Sequence, residues 1–143
     1  MTKEEIKRID DQGFAAWDKH DANAFVSLFA DNFTWHDWTM PQPIRDKAGA
    51  RAYFGGWMTA IPDMKVAMVS RVIGDDSVAA EITFSGTNSG AMTMGGKALP
   101  PTNKKVVGRA SYIARVSGGK IVDYRTHPDV AGLMMQLGMM PGM

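Results

Sequence analysis

Met64-Lys-Val-Ala-Met-Val-Ser-Arg-Val-Ile-Gly-Asp-Asp-Ser-Val-Ala-Ala-Glu-Ile-Thr-Phe-Ser-Gly-Thr87 is the stretch that decides the fold. Its pattern has period two over 64–73 and again over 77–87, the spacing of strands that bury one face. Gly74-Asp75-Asp76 between them suits a hairpin turn. A second pair, 104–116 and 120–127, is joined through Gly118-Gly119. Between the two hairpins, residues 86–101 are rich in Gly and Thr and read as a loop or a bent strand end.

Upstream, the period becomes helical. Ile6, Ile9, Gly13, Ala16 and Trp17 form a stripe at helical spacing. Asp21 can cap a second, short helix with inner face Ala24, Phe25, Leu28 and Phe29. Residues 33–38, Phe-Thr-Trp-His-Asp-Trp, alternate and read as a strand, and Pro41 and Pro43 mark an irregular link. Asp46 then caps a third helix carrying Ala50, Tyr53, Phe54, Trp57, Met58 and Ile61, which Pro62 stops. After the second hairpin, Val130, Leu133, Met134 and Leu137 predict a short C-terminal helix with Asp129 near its start. Three N-terminal helices followed by an antiparallel meander predict an α+β fold. The helices pack on one face of a strongly curved antiparallel sheet, making a cone with an apolar mouth.

Composition bounds the function. The 143 residues hold no internal repeat and no linker, so 1–143 is expected to be a single domain. Sixteen Lys+Arg against fifteen Asp+Glu leave a net charge of +1, too even for nucleic-acid binding by bulk charge. No apolar run reaches the roughly 18 residues of a membrane span, and the first residues are too charged for a signal peptide. A soluble, cytoplasmic protein is expected. The absence of Cys excludes disulfides and thiolate catalysis, and with only His20, His36 and His127 no metal site is expected. Residues 1–63 carry ten acids and seven bases, residues 64–143 five and nine, a skew that solvated strand faces explain. Five of the twelve Met fall within 134–143, where core or dimer-interface packing is the expected role.

Residues 24–37, Ala-Phe-Val-Ser-Leu-Phe-Ala-Asp-Asn-Phe-Thr-Trp-His-Asp, resemble the helix-then-strand entry of nuclear transport factor 2-like domains. Gly86-Thr-Asn-Ser-Gly, Leu99-Pro-Pro-Thr-Asn-Lys-Lys-Val, Gly119-Lys-Ile-Val-Asp-Tyr and Asp129-Val-Ala-Gly-Leu-Met-Met-Gln-Leu-Gly resemble the SnoaL-like polyketide cyclases. The resemblance implies a cone-shaped domain, usually a homodimer, with a deep pocket between sheet and helices. It implies cofactor-free, metal-free proton transfer next to a carbonyl on a hydrophobic, polyketide-like or cyclic molecule. The same fold also hosts non-catalytic domains that hold a small apolar ligand, and protein-binding modules.

Position by position, the last strand departs from the cyclases. Thr126 stands where their acid/base Asp stands, and Tyr124 where their pocket His stands. Thr can hydrogen-bond but cannot take a proton near neutral pH. Asp37, two residues from Trp35 and on the same strand face, matches the general base of ketosteroid-isomerase-like members. An Asp in an apolar mouth lined by tryptophans is suited to that role. Its alternative role is structural, hydrogen-bonding the loop before the third helix. The isomerase's oxyanion donors correspond to Gly13 and Tyr112, and the residues that epoxide hydrolases of this fold require correspond to Ile82, Phe84 and Thr126. Tyr112 and Tyr124 fall on adjacent strands facing inward, able either to hold a carbonyl oxygen or to line the core with satisfied hydroxyls. Asp37, Tyr124, Tyr112 and Thr126 are therefore the candidate catalytic residues. Trp35, Trp17, Phe14, Trp57, Phe84, Ile82 and Trp38 are the candidate substrate-binding residues. Glu81, His36, Arg109, Arg115 and Arg125 are expected on the outer face, and His127 at the rim.

Overall fold

The computed structural model describes residues 2–94 and 96–139; Met140 and Met143 of the Met-rich tail lie outside the described residues. Helices α1 (Lys3–Asp18) and α2 (Ala22–Val26) lead into strand β1 (Phe29–Asp37), and α3 (Lys47–Ala60) follows. Strands β2 (Lys65–Ile73), β3 (Ser77–Thr87), β4 (Met92–Met94), β5 (Lys97–Leu99), β6 (Lys105–Ser117) and β7 (Lys120–Pro128) precede α4 (Val130–Leu137). Each helix begins where the sequence places a cap. The side chains of Thr2, Asp21, Asp46 and Asp129 accept from backbone N–H groups of the first turn.

Five strands form one curved sheet in the order β1-β7-β6-β3-β2. The hairpins pair antiparallel as the turns require, but β1 joins the edge parallel to β7, so the sheet is mixed. The chain leaves β1 through α3 and two hairpins before β7 returns beside it, and no hairpin turn constrains that pair. β1 also starts four residues earlier than alternation suggests. Phe29 pairs with Ile121, the register then shifts before Thr34, and the irregularity hides the first turn of the pattern. Consequently α2 ends at Val26 and Phe29 belongs to the sheet.

The Gly- and Thr-rich segment forms its own two-stranded ribbon, β4–β5. Asn88, fully buried, ties it down: its amide donates to the carbonyls of Ala60 (3.0 Å) and Gly90 (2.9 Å), and its oxygen accepts from Thr102 N–H (3.0 Å). The main core lies between helices and concave sheet face, around Ile6, Phe25, Phe29, Trp35, Phe54, Tyr112 and Tyr124. A second cluster around Ile61, Met64, Phe84, Met92 and Leu133 closes the other end, and Met134 and Met139 pack against it. Gly108 stands opposite Phe84 in the β3–β6 register, and a Cβ there would run into the Phe84 ring. Its missing side chain is what lets that ring lie across β6.

Candidate active site

The concave face leaves a cavity of about 90 Å3, room for several waters. α1 contributes Gly13, Phe14 and Trp17 to its wall, α3 Tyr53 and Trp57, and the sheet Trp35, Asp37, Ile82, Phe84, Tyr112, Tyr124 and Thr126. Eleven residues singled out in the sequence were expected here, and ten line this one space. Trp38 does not. It is 67% exposed and its ring lies 5.5 Å from that of His127, outside the cavity. The reason is parity: with Asp37 facing inward, its neighbour must face out.

Asp37 is 4% exposed, at the C-terminal end of β1. Its Oδ1 accepts from Thr39 N–H (2.8 Å) and from the Thr39 hydroxyl, an Asx turn that starts the loop toward α3. Its Oδ2 accepts from the Tyr53 hydroxyl (2.6 Å) and the Thr126 hydroxyl. Thr126 in turn accepts from the indole N–H of Trp35 at 2.8 Å. The structural role expected of Asp37, holding the loop before α3, is therefore present in the geometry. Four donors occupy all four lone-pair sites of one carboxylate. For Asp37 to take a proton directly from a ligand, one of those donors must leave first.

The tyrosines divide. Tyr112 is buried and its hydroxyl donates to Asp10 Oδ1 at 2.6 Å. Burial first, then the neighbouring charges, push its hydroxyl far above the usual phenol range, so it stays a neutral donor. Tyr124, 6% exposed, packs its ring 5.1 Å from Trp35 and 5.7 Å from Tyr112. Among the described residues its hydroxyl has no hydrogen-bond partner and opens on the cavity. Burial raises its pKa too, reinforced by the carboxylates of Asp10 and Asp37. Ala114 stands opposite Tyr124 across β6, and that small side chain leaves the phenol its place.

Two groups that matter escaped the sequence reading. Tyr53 looked like an apolar position of α3, yet its hydroxyl holds Asp37, and burial lifts its pKa well above the usual phenol value. Asp10 is 7% exposed, held by Tyr112 and by Arg71 (3.0 Å), which also reaches Asp11 at 2.6 Å. The signal for Asp10 was present: it lies four residues after Ile6 and three before Gly13, on the apolar stripe itself. Behind Tyr53 and Trp57 runs an open groove of about 520 Å3, bounded by Thr39, Met40, Ile44 and Met92. Glu81, Arg109, Arg115 and Arg125 face outward, and Arg125 pairs with Asp123 at 3.0 Å. No group of three or more His, Asp or Glu able to hold a metal exists among the described residues. None of the described helices is long and apolar enough to cross a membrane.

A curved, unclosed sheet wrapped by helices around an apolar cavity with a few buried polar groups defines an α+β cone domain. The chain belongs to the SnoaL-like polyketide cyclase family, whose model matches residues 8–137. Among solved structures it is similar to AclR from Streptomyces galilaeus, a candidate hydroxylase. The identity is 22%, the match covers 99% of this chain and 86% of that one, and the TM-score is 0.84. TsrD from Streptomyces laurentii is 20% identical over 98% of this chain and 99% of its own, with a TM-score of 0.81. IdmH from Streptomyces antibioticus, a candidate polyketide cyclase, is 24% identical over 92% of this chain and 97% of its own, with a TM-score of 0.75. These likenesses establish the fold. No curated protein matches the chain.

Proposed function

We propose that this protein is a cofactor-independent cyclase or isomerase that moves a proton next to a carbonyl on a hydrophobic, polyketide-like or cyclic small molecule. The observation that carries the reading is the Tyr124 hydroxyl, which makes no hydrogen bond among the described residues and opens on an aromatic cavity. A ligand oxygen seated in the cavity gives that hydroxyl an acceptor. A carbonyl oxygen seated there would gain most as it becomes an enolate, because the phenol stays protonated and is already in place. The aromatic walls of Trp17, Trp35, Trp57 and Phe84 suit a flat apolar ligand. A ligand larger than the cavity can extend past Tyr53 and Trp57 into the groove they also border.

A second reading, a non-catalytic domain holding an apolar ligand, is favoured by one specific observation: every lone-pair site of Asp37 is occupied, and its neighbour Thr126 cannot accept a proton at neutral pH. The two are separated by exchange. Aromatic ketones and 1,3-diketones are incubated with the protein in D2O and deuterium uptake next to the carbonyl is followed by NMR. The enzyme reading expects uptake above the buffer rate, falling about 100-fold or more in Tyr124→Phe. Saturable binding with uptake at the buffer rate selects the binding domain.

A further inference from the structure

Within the reading just given, and resting on it, one question is where the proton goes when the ligand carries it on oxygen, as an enol or a phenol. A carboxylate takes a proton directly from a ligand through an open lone pair, or indirectly from a hydroxyl already donating to it. The direct route is closed at Asp37, to which Thr39 donates twice and Tyr53 and Thr126 once each. Asp10 accepts only from Tyr112 and Arg71, which leaves about half of its lone-pair sites open. Asp10 does not itself line the cavity, but Tyr112 does, and the Tyr112 hydroxyl points its proton at Asp10 Oδ1 from 2.6 Å. The phenol oxygen therefore keeps its lone pairs for another donor, and Tyr112 links the cavity it lines to Asp10, a carboxylate with fewer donors than Asp37.

We propose that Asp10, acting through the Tyr112 hydroxyl, receives the proton that leaves the ligand. The ligand's O–H bond breaks and its proton forms a new O–H bond on Tyr112. The proton Tyr112 held passes along the existing hydrogen bond to Asp10 Oδ1, which becomes neutral, and the negative charge stays on the ligand oxygen. Tyr124, with its ring 5.7 Å from that of Tyr112 and its hydroxyl free, donates to that oxygen. The surrounding charges tolerate the exchange. Arg71 also holds Asp11 at 2.6 Å, so neutralising Asp10 does not strip Arg71 of its counter-charge. Such a relay moves protons between oxygens, so it fits an enolised 1,3-dicarbonyl or a phenolic product better than an unactivated ketone. Asp10 is in this sense a positioning and proton-storing residue, and Tyr112 the group that touches the ligand.

The test uses nitrophenols of graded acidity as probes, because the phenolate absorbs at longer wavelength than the phenol. Each probe is titrated into the protein at a pH where it is neutral in water. The expected result is a bound phenolate band in the wild type that is lost in Asp10→Asn and in Tyr112→Phe while binding, followed by quenching of Trp fluorescence, is retained. A band that persists in both variants, or that vanishes only in Asp37→Asn, overturns the relay. Binding in the neutral form by the wild type also overturns it and leaves the cavity reading intact. No binding of any probe refutes the cavity reading and the relay together. Tyr112→Phe removes one hydroxyl and keeps the Asp10–Arg71 pair, so it decides the matter if Asp10→Asn does not fold.

Discussion

Replacing Thr126 by Val probes the structural joint of the site. Val keeps the shape and β-branching that suit β7, so only the hydroxyl is lost. That hydroxyl accepts from the Trp35 indole N–H at 2.8 Å and donates to Asp37 Oδ2. Trp35 is fully buried, so its N–H would be left without acceptor or water, at about 1–3 kcal/mol. Asp37 would lose one of four donors, a bond to a charged group worth about 1.5 kcal/mol, softened because three donors remain. Together these predict a loss of roughly 2–4 kcal/mol, or a Tm lower by roughly 6–12 °C for a chain of this size. Urea denaturation followed by Trp fluorescence measures it. Thr126→Ser is the control: it keeps the hydroxyl and removes one methyl, so about 1 kcal/mol is expected. If Val and Ser variants unfold at the same urea concentration, the Trp35–Thr126–Asp37 chain contributes nothing net and the reasoning is refuted.

Three further outcomes follow from the same geometry. Gly13→Ala should stabilise the protein by about 0.5–1 kcal/mol in thermal unfolding, because an added Cβ meets Leu28 at an ordinary 3.5 Å while α1 gains a better helix former; a lower Tm would show that the cavity wall cannot absorb the methyl. Gly108→Val should lower the Tm and disturb ligand binding together, since the new side chain displaces the Phe84 ring that lines the cavity, and unchanged thermal unfolding would disprove the close approach. Asp63 accepts from Thr87 N–H at 2.7 Å, which holds its carboxyl below the ordinary value of 3.8. The folded state then binds that proton more weakly than the unfolded state, so the contribution is present above the ordinary value and disappears as pH falls through the lowered one. Between about pH 5 and pH 2.5 the Tm of Asp63→Asn should fall less steeply than that of the wild type, and parallel curves would reject the assignment.

Much of the fold was legible because local physics repeats it. The caps at Asp21, Asp46 and Asp129, the stop at Pro62 and the two Gly-marked hairpins each declare an element within a few residues of its end. What was not legible was long-range or polar. The parallel β1–β7 pair leaves no turn signature, and the shift between Phe29 and Thr34 breaks the alternation that would have shown where β1 begins. The ribbon β4–β5 depends on Asn88, whose burial is a tertiary fact. In the site, alternation placed Trp35, Asp37, Tyr112, Tyr124 and Thr126 on one face, but it says nothing of how many donors a carboxylate has collected. The sequence left Asp37 open to two roles, a base or an anchor for the loop before α3, and Tyr53 and Thr39, neither read as polar partners, make it the hub of a hydrogen-bond cluster.

The cluster also explains why the polar end of the site gathers around β7. β7 is flanked by β1 on one side and β6 on the other, and its inward residues face inward residues of both. Asp37 is in register with Thr126, Trp35 with Tyr124, and Tyr112 with Thr126. Side chains directly across neighbouring strands lie about 5 Å apart, close enough for hydroxyl, indole and carboxylate to meet without adjusting the backbone. On this strand the Thr126 hydroxyl binds the β1 carboxylate. One charge is thereby fixed at the β1 edge, while the other buried carboxylate, Asp10, is brought in from α1 on the far side of Tyr112. Slipping β7 by one residue would turn Tyr124 and Thr126 to the outer face and bring Arg125 in, dismantling every one of these bonds at once. The site's geometry is therefore carried by strand register. The bonds from Thr126 and Trp35 that stabilise the edge pairing are the same ones that hold Asp37 in place, so substitutions there are expected to alter stability and ligand binding in step.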